Sequence, residues 1–328
     1  METKQRDFGL DLIRSVAIVL VILQHGWSGL ELDVPSANPS WWVGRALCIG
    51  VPLFVMLSGA LNLGRTPPPG EFLGKRFKRV LIPFLFWATI VFILSAAMGK
   101  YPEAHSFLSA VGFFFTALLE GRINASYWFV YLLSGLYLLT PLLQRAFDPS
   151  RPQTRTLLGY ALLIWLAVQF FKAFYPSFLP VKYFSFPVDV FLGYYLAGFY
   201  LRQYVTDKVR LRRYGVVAFL AGAALNMVFQ ATGKTVLPAE MLEVCGLYGW
   251  LSTLEMQEGR LRRFTTGLSR YSYTVYLTQM VPVGALCTLW HGPAVTLPLL
   301  VLVVVLVEYM FCWCLDHWDK IPNSLVGI

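Results

Sequence analysis

Apolar residues come in long runs separated by short polar breaks. The runs fall at residues 10–28, 41–63, 80–98, 126–147, 156–174, 184–201, 214–232, 238–254, 271–290 and 295–315. Each approaches the ~20 residues a helix needs to cross a hydrocarbon layer about 30 Å thick. An eleventh run, "FLSAVGFFFTALL" at 107–119, is too short, because a helix of that length reaches only about 20 Å. The pattern predicts an all-α, polytopic membrane helix bundle of about ten transmembrane helices with one short re-entrant or interfacial helix. No loop is long enough for a separate soluble domain, so residues 1–328 read as a single membrane domain.

Composition agrees. Charged residues make up 14% of the chain, hydrophobic ones 57%, and mean hydropathy is +0.58, whereas soluble domains carry about a quarter charged residues. Ten tryptophans suit many helix ends at headgroup level. The net charge of +9 would fit nucleic-acid binding if it were clustered on a soluble face. Most of it sits in short loops between apolar runs, which excludes that class. Charge also sets the topology. If 107–119 does not cross, 20 lysines and arginines lie on the N-terminal side and five (Lys100, Arg122, Lys172, Lys182, Lys234) on the other. If it crosses, the split becomes 11 against 14. The first arrangement obeys the positive-inside rule and predicts ten spans with both termini cytoplasmic. Asp11 and Arg14 interrupt what would be a signal-peptide core, so a retained first span is expected.

Five cysteines lie in or beside apolar runs without metal-ligand spacing and read as buried thiols. Cys312 and Cys314 are two apart and should point to different sides of a helix. His105, His291 and His317 fall at predicted interfaces and read as structural.

The first run, "DLIRSVAIVLVILQHG" at 11–26, carries the most informative polar groups: Asp11, Arg14 and His25. From Arg14 to His25 the helix turns three times plus about 20°, so the two share a face, and it rises about 16 Å. Asp11, one turn before Arg14, is placed to pair with it. Taken singly, Arg14 also fits an arginine snorkelling to headgroups, and His25 an interfacial histidine. Together they fit a line of polar groups along a cavity, since ionisable groups inside membranes usually face the bundle interior. A channel, a transporter and an enzyme are all compatible with that line.

Five stretches in order resemble the acyltransferase-3 family of integral membrane O-acyltransferases, over nearly the whole chain. Asp11-x2-Arg14 followed by Arg-x10-His is similar to its opening helix. "VPLFVMLSGALN" (51–62) resembles its second helix, and "GKRFKRVLIPFLFW" (74–87) its basic loop entering a proline-containing third helix. "SYWFVYLLSGLYLLTPLL" (126–143) is similar to its Trp-Phe then Tyr-x3-Pro helix, at Trp128, Phe129, Tyr137 and Pro141. "LSRYSYTVYLTQ" (268–279) resembles its Ser- and Tyr-rich helix closing on Tyr-Leu-x-His, except that Gln279 stands at the histidine position. Glutamine can hydrogen-bond but cannot take a proton at neutral pH, which leaves the proton chemistry to His25.

The resemblance implies transfer of an acyl group, commonly acetyl, from acyl-CoA to hydroxyls of cell-surface or lipid-linked carbohydrate. It implies a bacterial inner membrane and acetyl-CoA as donor rather than a resident cofactor, with no metal. His25 would act as general base or as an acyl carrier, Arg14 would position the donor and Asp11 would orient Arg14. Lys75, Arg76 and Arg79 would hold the donor's phosphates, with the pantetheine arm extending past Arg14, and Ser58 would let backbone approach it. Arg45, Trp128, Tyr137, Tyr276 and Gln279 would line an outer acceptor site, with Arg45 also able to balance Glu243, Asp189 or Glu308. The rival reading is a transporter or flippase that uses the same polar cavity without chemistry; Gln279 favours it, and the lack of a broken-helix repeat opposes it.

Overall fold

The first apolar run forms α1 (Phe8–Gly29), and much of the bundle is arranged around it. The structure is a computed structural model that describes residues 7–29, 44, 48–102, 106–175, 189–289 and 296–328. Among these residues all regular structure is helical. After α1 come α2 (Gly50–Asn62), α3 (Pro69–Ala97) and α4 (Phe107–Leu119). A 3-10 turn (Ala125–Tyr127) leads into α5 (Trp128–Ala146), followed by α6 (Thr154–Phe174), α7 (Asp189–Tyr204) and α8 (Lys208–Ala231). The chain closes with α9 (Leu237–Ser252), α10 (Arg260–Thr278), α11 (Met280–Leu289), α12 (Leu297–Asp316) and the short α13 (Asn323–Val326).

Every predicted run holds a helix, but among the described residues only six helices are long and apolar enough to cross a membrane. These are α1, α3, α5 with its 3-10 turn, α6, α8 and α12. The shortfall from ten has local causes. Helices α2 and α9 have 13 and 16 residues, and α7 accounts for 16 described residues. The run predicted at 271–290 is two helices, because Pro282 has no N–H to give the Thr278 carbonyl and the helix parts at Gln279. Helix α10 also starts earlier than expected, at Arg260, and its polar opening "RLRRFTTGLSR" lowers its hydropathy.

Helix α1 presents an apolar stripe of Ile13, Ala17, Ile18, Val21 and Ile22, each at most 1% exposed. It packs against α2, α9, α10, α11 and α12. The tightest crossings involve glycine. A Cβ on Gly59 of α2 would lie 1.8 Å from the Tyr195 carbonyl oxygen, and one on Gly198 of α7 would lie 1.9 Å from that of Met56. The two backbones therefore touch, as small residues allow in membrane bundles. As their spacing predicted, Cys312 is buried and Cys314 points to another side; Cys314 is exposed and Cys48, Cys245 and Cys287 are half-buried, so only Cys312 is the buried thiol expected of all five.

One end of the bundle gathers the charged loops. Arg202 in the last turn of α7 pairs with Asp7 before α1 at 3.4 Å, Lys208 with Glu255 at 2.9 Å, and Arg270 with Asp316 at 2.6 Å. At the same end, Gln144 of α5 donates to the carbonyl of Asn62, the last residue of α2, at 2.8 Å. Helix α3 leaves this basic end and α5 returns to it, so α4 lies at the opposite end. There Phe92 of α3 meets Phe113 and Phe114 of α4, and the Tyr131 hydroxyl donates to the Leu118 carbonyl. Phe107, Leu108 and Leu119 of α4 are at least 80% exposed. The short eleventh run is thus a helix whose two ends lie at the same end of the bundle.

Candidate active site

The seam between α1 and α10 brings together the residues singled out in the first run. At the basic end, the buried Asp11 carboxylate accepts a hydrogen bond from Ser269 Oγ at 2.7 Å. Arg14 Nη1 donates to the same Ser269 Oγ at 3.1 Å and lies 3.8 Å from Asp11 Oδ1. Ser15 Oγ donates to the Thr265 carbonyl at 2.8 Å and adds a further tie between the helices. The expected Asp11–Arg14 pair exists, bridged by a serine from another helix. Ser269 was missed in the sequence, although Ser269, Ser272, Tyr276 and Gln279 follow i, i+3, i+7, i+10 spacing and so favour one face of α10.

At the other end of the seam, the His25 ring lies beside the Gln279 side chain. Arg14 and His25 therefore do share the face of α1 that meets α10. Gln279 is fully buried, and its Nε2 donates to the Tyr276 carbonyl at 3.4 Å. Two buried polar atoms at this spot, His25 Nδ1 and Gln279 Oε1, have no hydrogen-bond partner among the described residues.

Around this pair the structure gathers some of the expected acceptor residues. Tyr276 is buried, donates its hydroxyl to the Ser126 carbonyl and meets the Phe129 ring at 5.2 Å. Trp128 is more exposed and contacts Phe129 and Phe191. Tyr137 is placed elsewhere, which corrects the expected grouping. It is buried edge-on against Phe72 at 6.1 Å, and Phe72 is a wall of the cavity at the basic end. Position 137 is two and a half turns down α5 from Trp128, so one helix cannot hold both at its outer end. Arg45 lies outside the described residues.

That basic-end cavity has a volume of about 480 Å³ and lies between α2, α3 and α5. Arg65, Lys75, Arg76 and Arg79 line it, together with Glu71, Phe72, Asn62 and Gln144. Lys75 is paired with Glu71 at 2.6 Å, and the Arg76 guanidinium sits over the Phe72 ring at 5.6 Å. Arg65 was not among the expected ligands; its signal was the basic loop that opens "GRTPPPG". Ser58 lies one turn before Asn62 and accepts a hydrogen bond from its Nδ2 at 3.1 Å. The neighbouring Gly59 faces α7 rather than this cavity, so the Ser-Gly pair serves helix packing at its glycine. A second cavity, about 310 Å³, is lined by Phe8, Asp11, Glu258, Arg262, Arg263 and Thr266. Arg76 and Arg79 line the larger cavity and Asp11 the smaller one.

A family model described as an acyltransferase domain matches residues 7–316. The chain belongs to the acyltransferase-3 family. Two curated relatives of this acyltransferase-3 chain are nodulation proteins NolL. The one from Mesorhizobium japonicum is 28% identical over 102 residues, covering 29% of the chain and 26% of its own length. The one from Sinorhizobium fredii is 27% identical over 149 residues, covering 42% of the chain and 36% of its own length. The chain thus spans little more than a third of the length of these relatives at most. No solved structure matches the chain.

Proposed function

We propose that the protein is a membrane O-acyltransferase that moves an acyl group, acetyl in the first instance, from cytoplasmic acyl-CoA to a hydroxyl of a cell-surface or lipid-linked carbohydrate. The observation that carries this reading is the α1–α10 seam. It has a charged group of Asp11, Arg14 and Ser269 at the basic end, and a histidine with an open ring nitrogen beside Gln279 about 16 Å along. In this reading the bundle crosses a bacterial inner membrane ten times, with α4 at the outer side and the basic end in the cytoplasm.

The donor's phosphates meet the arginines of the larger cavity, where the planar guanidinium suits phosphate better than a lone ammonium. Arg14, held by Asp11 and Ser269, positions the donor within the bundle. His25 takes the proton of the acceptor hydroxyl while that oxygen bonds to the thioester carbonyl carbon. The C–S bond then breaks, and the CoA thiolate leaves and receives the proton from His25. Gln279 Oε1, buried and otherwise unpaired among the described residues, accepts the imidazole N–H and steadies the ring as it charges. A neutral amide can do this where a second histidine would otherwise stand. Trp128 and Tyr276 flank the acceptor.

The test is the acyl content of surface glycans, read by mass spectrometry in wild-type and deletion strains. Loss of acyl groups on deletion and their return on complementation support the reading. Unchanged acylation, with purified protein that carries substrate across vesicles but transfers nothing, favours the transporter.

A further inference from the structure

We propose that Asn62 and Gln144 bind the amide-bearing arm of the donor, so that acyl-CoA enters the bundle between α2, α3 and α5. This rests on the reading of acyl-CoA as donor. Such a molecule presents two unlike surfaces. Its phosphates need fixed cations, and its pantetheine arm carries two amides that need hydrogen-bond partners once they leave water. The larger cavity offers both. Arg65, Arg76 and Arg79 supply cations, while Asn62 and Gln144, at most 3% exposed, reach the same space from α2 and α5.

The amides are held in a set geometry. Gln144 Nε2 donates to the Asn62 backbone carbonyl at 2.8 Å, and Asn62 Nδ2 donates to Ser58 Oγ at 3.1 Å. That leaves Asn62 Oδ1 buried with no hydrogen-bond partner among the described residues. A buried amide oxygen left unpaired is costly. It also repels phosphate oxygens, so the group that meets it must bring an N–H or O–H. A phosphodiester, as in a lipid headgroup, would use the arginines and bring no donor for this acceptor. The polar track continues inward: the Tyr195 hydroxyl, beside Asn62, lies 2.8 Å from Thr140 Oγ1, and Tyr195 and Thr140 are fully buried. The arm therefore has a polar path along α2.

Calorimetry on the full chain in detergent can separate head from arm, using CoA and adenosine 3′,5′-bisphosphate, which keeps the charged head and lacks the arm. Asn62→Leu and Gln144→Met are each expected to weaken CoA binding at least about tenfold and to leave the bisphosphate within about twofold. Gln144→Met carries the same expectation if Asn62→Leu does not elute as a folded species. Equal weakening of both ligands, or no weakening of CoA, overturns the assignment of the arm. Wild-type protein that binds neither ligand overturns the acyl-CoA reading itself.

Discussion

Replacing Ser269 with alanine removes one hydroxyl from the α1–α10 seam and tests whether that seam is held by charge-assisted hydrogen bonds. Ser269 is 1% exposed; its Oγ donates to Asp11 Oδ1 at 2.7 Å and accepts from Arg14 Nη1 at 3.1 Å. Hydrogen bonds to charged groups contribute about 1.5–3 kcal/mol, and Asp11, at 4% exposure, is too buried for bulk water to replace the lost donor fully. Ser269→Ala should therefore destabilise the protein by about 1.5–3 kcal/mol. Ser252 provides the comparison, because its hydroxyl bonds only the Gly249 carbonyl of its own helix. Ser252→Ala should stay within about 0.5 kcal/mol of wild type. Chemical unfolding in detergent, followed by near-ultraviolet dichroism, reads both, and calorimetry with CoA shows whether a displaced Arg14 also lowers donor affinity. If Ser269→Ala matches Ser252→Ala in stability and binds CoA like wild type, Asp11 and Arg14 keep their geometry without the serine and the bridging argument fails.

Three other outcomes follow from the same geometry. Gly59→Ala puts a methyl where the Tyr195 carbonyl already lies; α2 and α7 must part, lowering stability by about 1–3 kcal/mol or more, and an unchanged melting temperature would contradict the close crossing. Arg76→Gln with Arg79→Gln should weaken CoA binding and flatten its salt dependence, whereas an unchanged affinity would leave both as lipid anchors. Cysteine probes at Arg122 and Arg210 should label from opposite sides of the membrane, the first from outside, and same-side labelling would break the ten-span topology.

The helices were legible in the sequence because apolar runs bounded by basic loops are a strong signal; their lengths were less so. Hydropathy runs through Gln279 without a break, and only Pro282 shows that the ninth run is two helices. The polar start of α10 is equally hidden, since its helicity comes from packing on α1 and α12 rather than from hydrophobicity. Within the site, Arg14 and His25 could be placed on one face because helical periodicity alone fixes that. Their partners could not be named, because Ser269 is 255 residues from Arg14 in the chain and meets it only through tertiary packing. Tyr137 went astray for a related reason: its motif suggested an acceptor role, whereas its height on α5 decides that it meets Phe72. Gln144 carried no motif signal and Asn62 only closed the second-helix stretch; their burial beside four cations and the unpaired Asn62 Oδ1 make them candidates.

The central claim is that His25 performs the proton transfer at the far end of the seam. The direct measurement is mass spectrometry of surface-glycan acyl groups in a deletion strain complemented with wild-type protein or His25→Ala, with calorimetry on the purified variant to show that CoA still binds. Loss of a general base typically slows the reaction about 10²–10⁴-fold, so His25→Ala is predicted to bind CoA near wild-type affinity and to leave the glycan essentially unacylated. A folded His25→Ala protein that binds CoA and acylates the glycan at the wild-type rate would contradict the account.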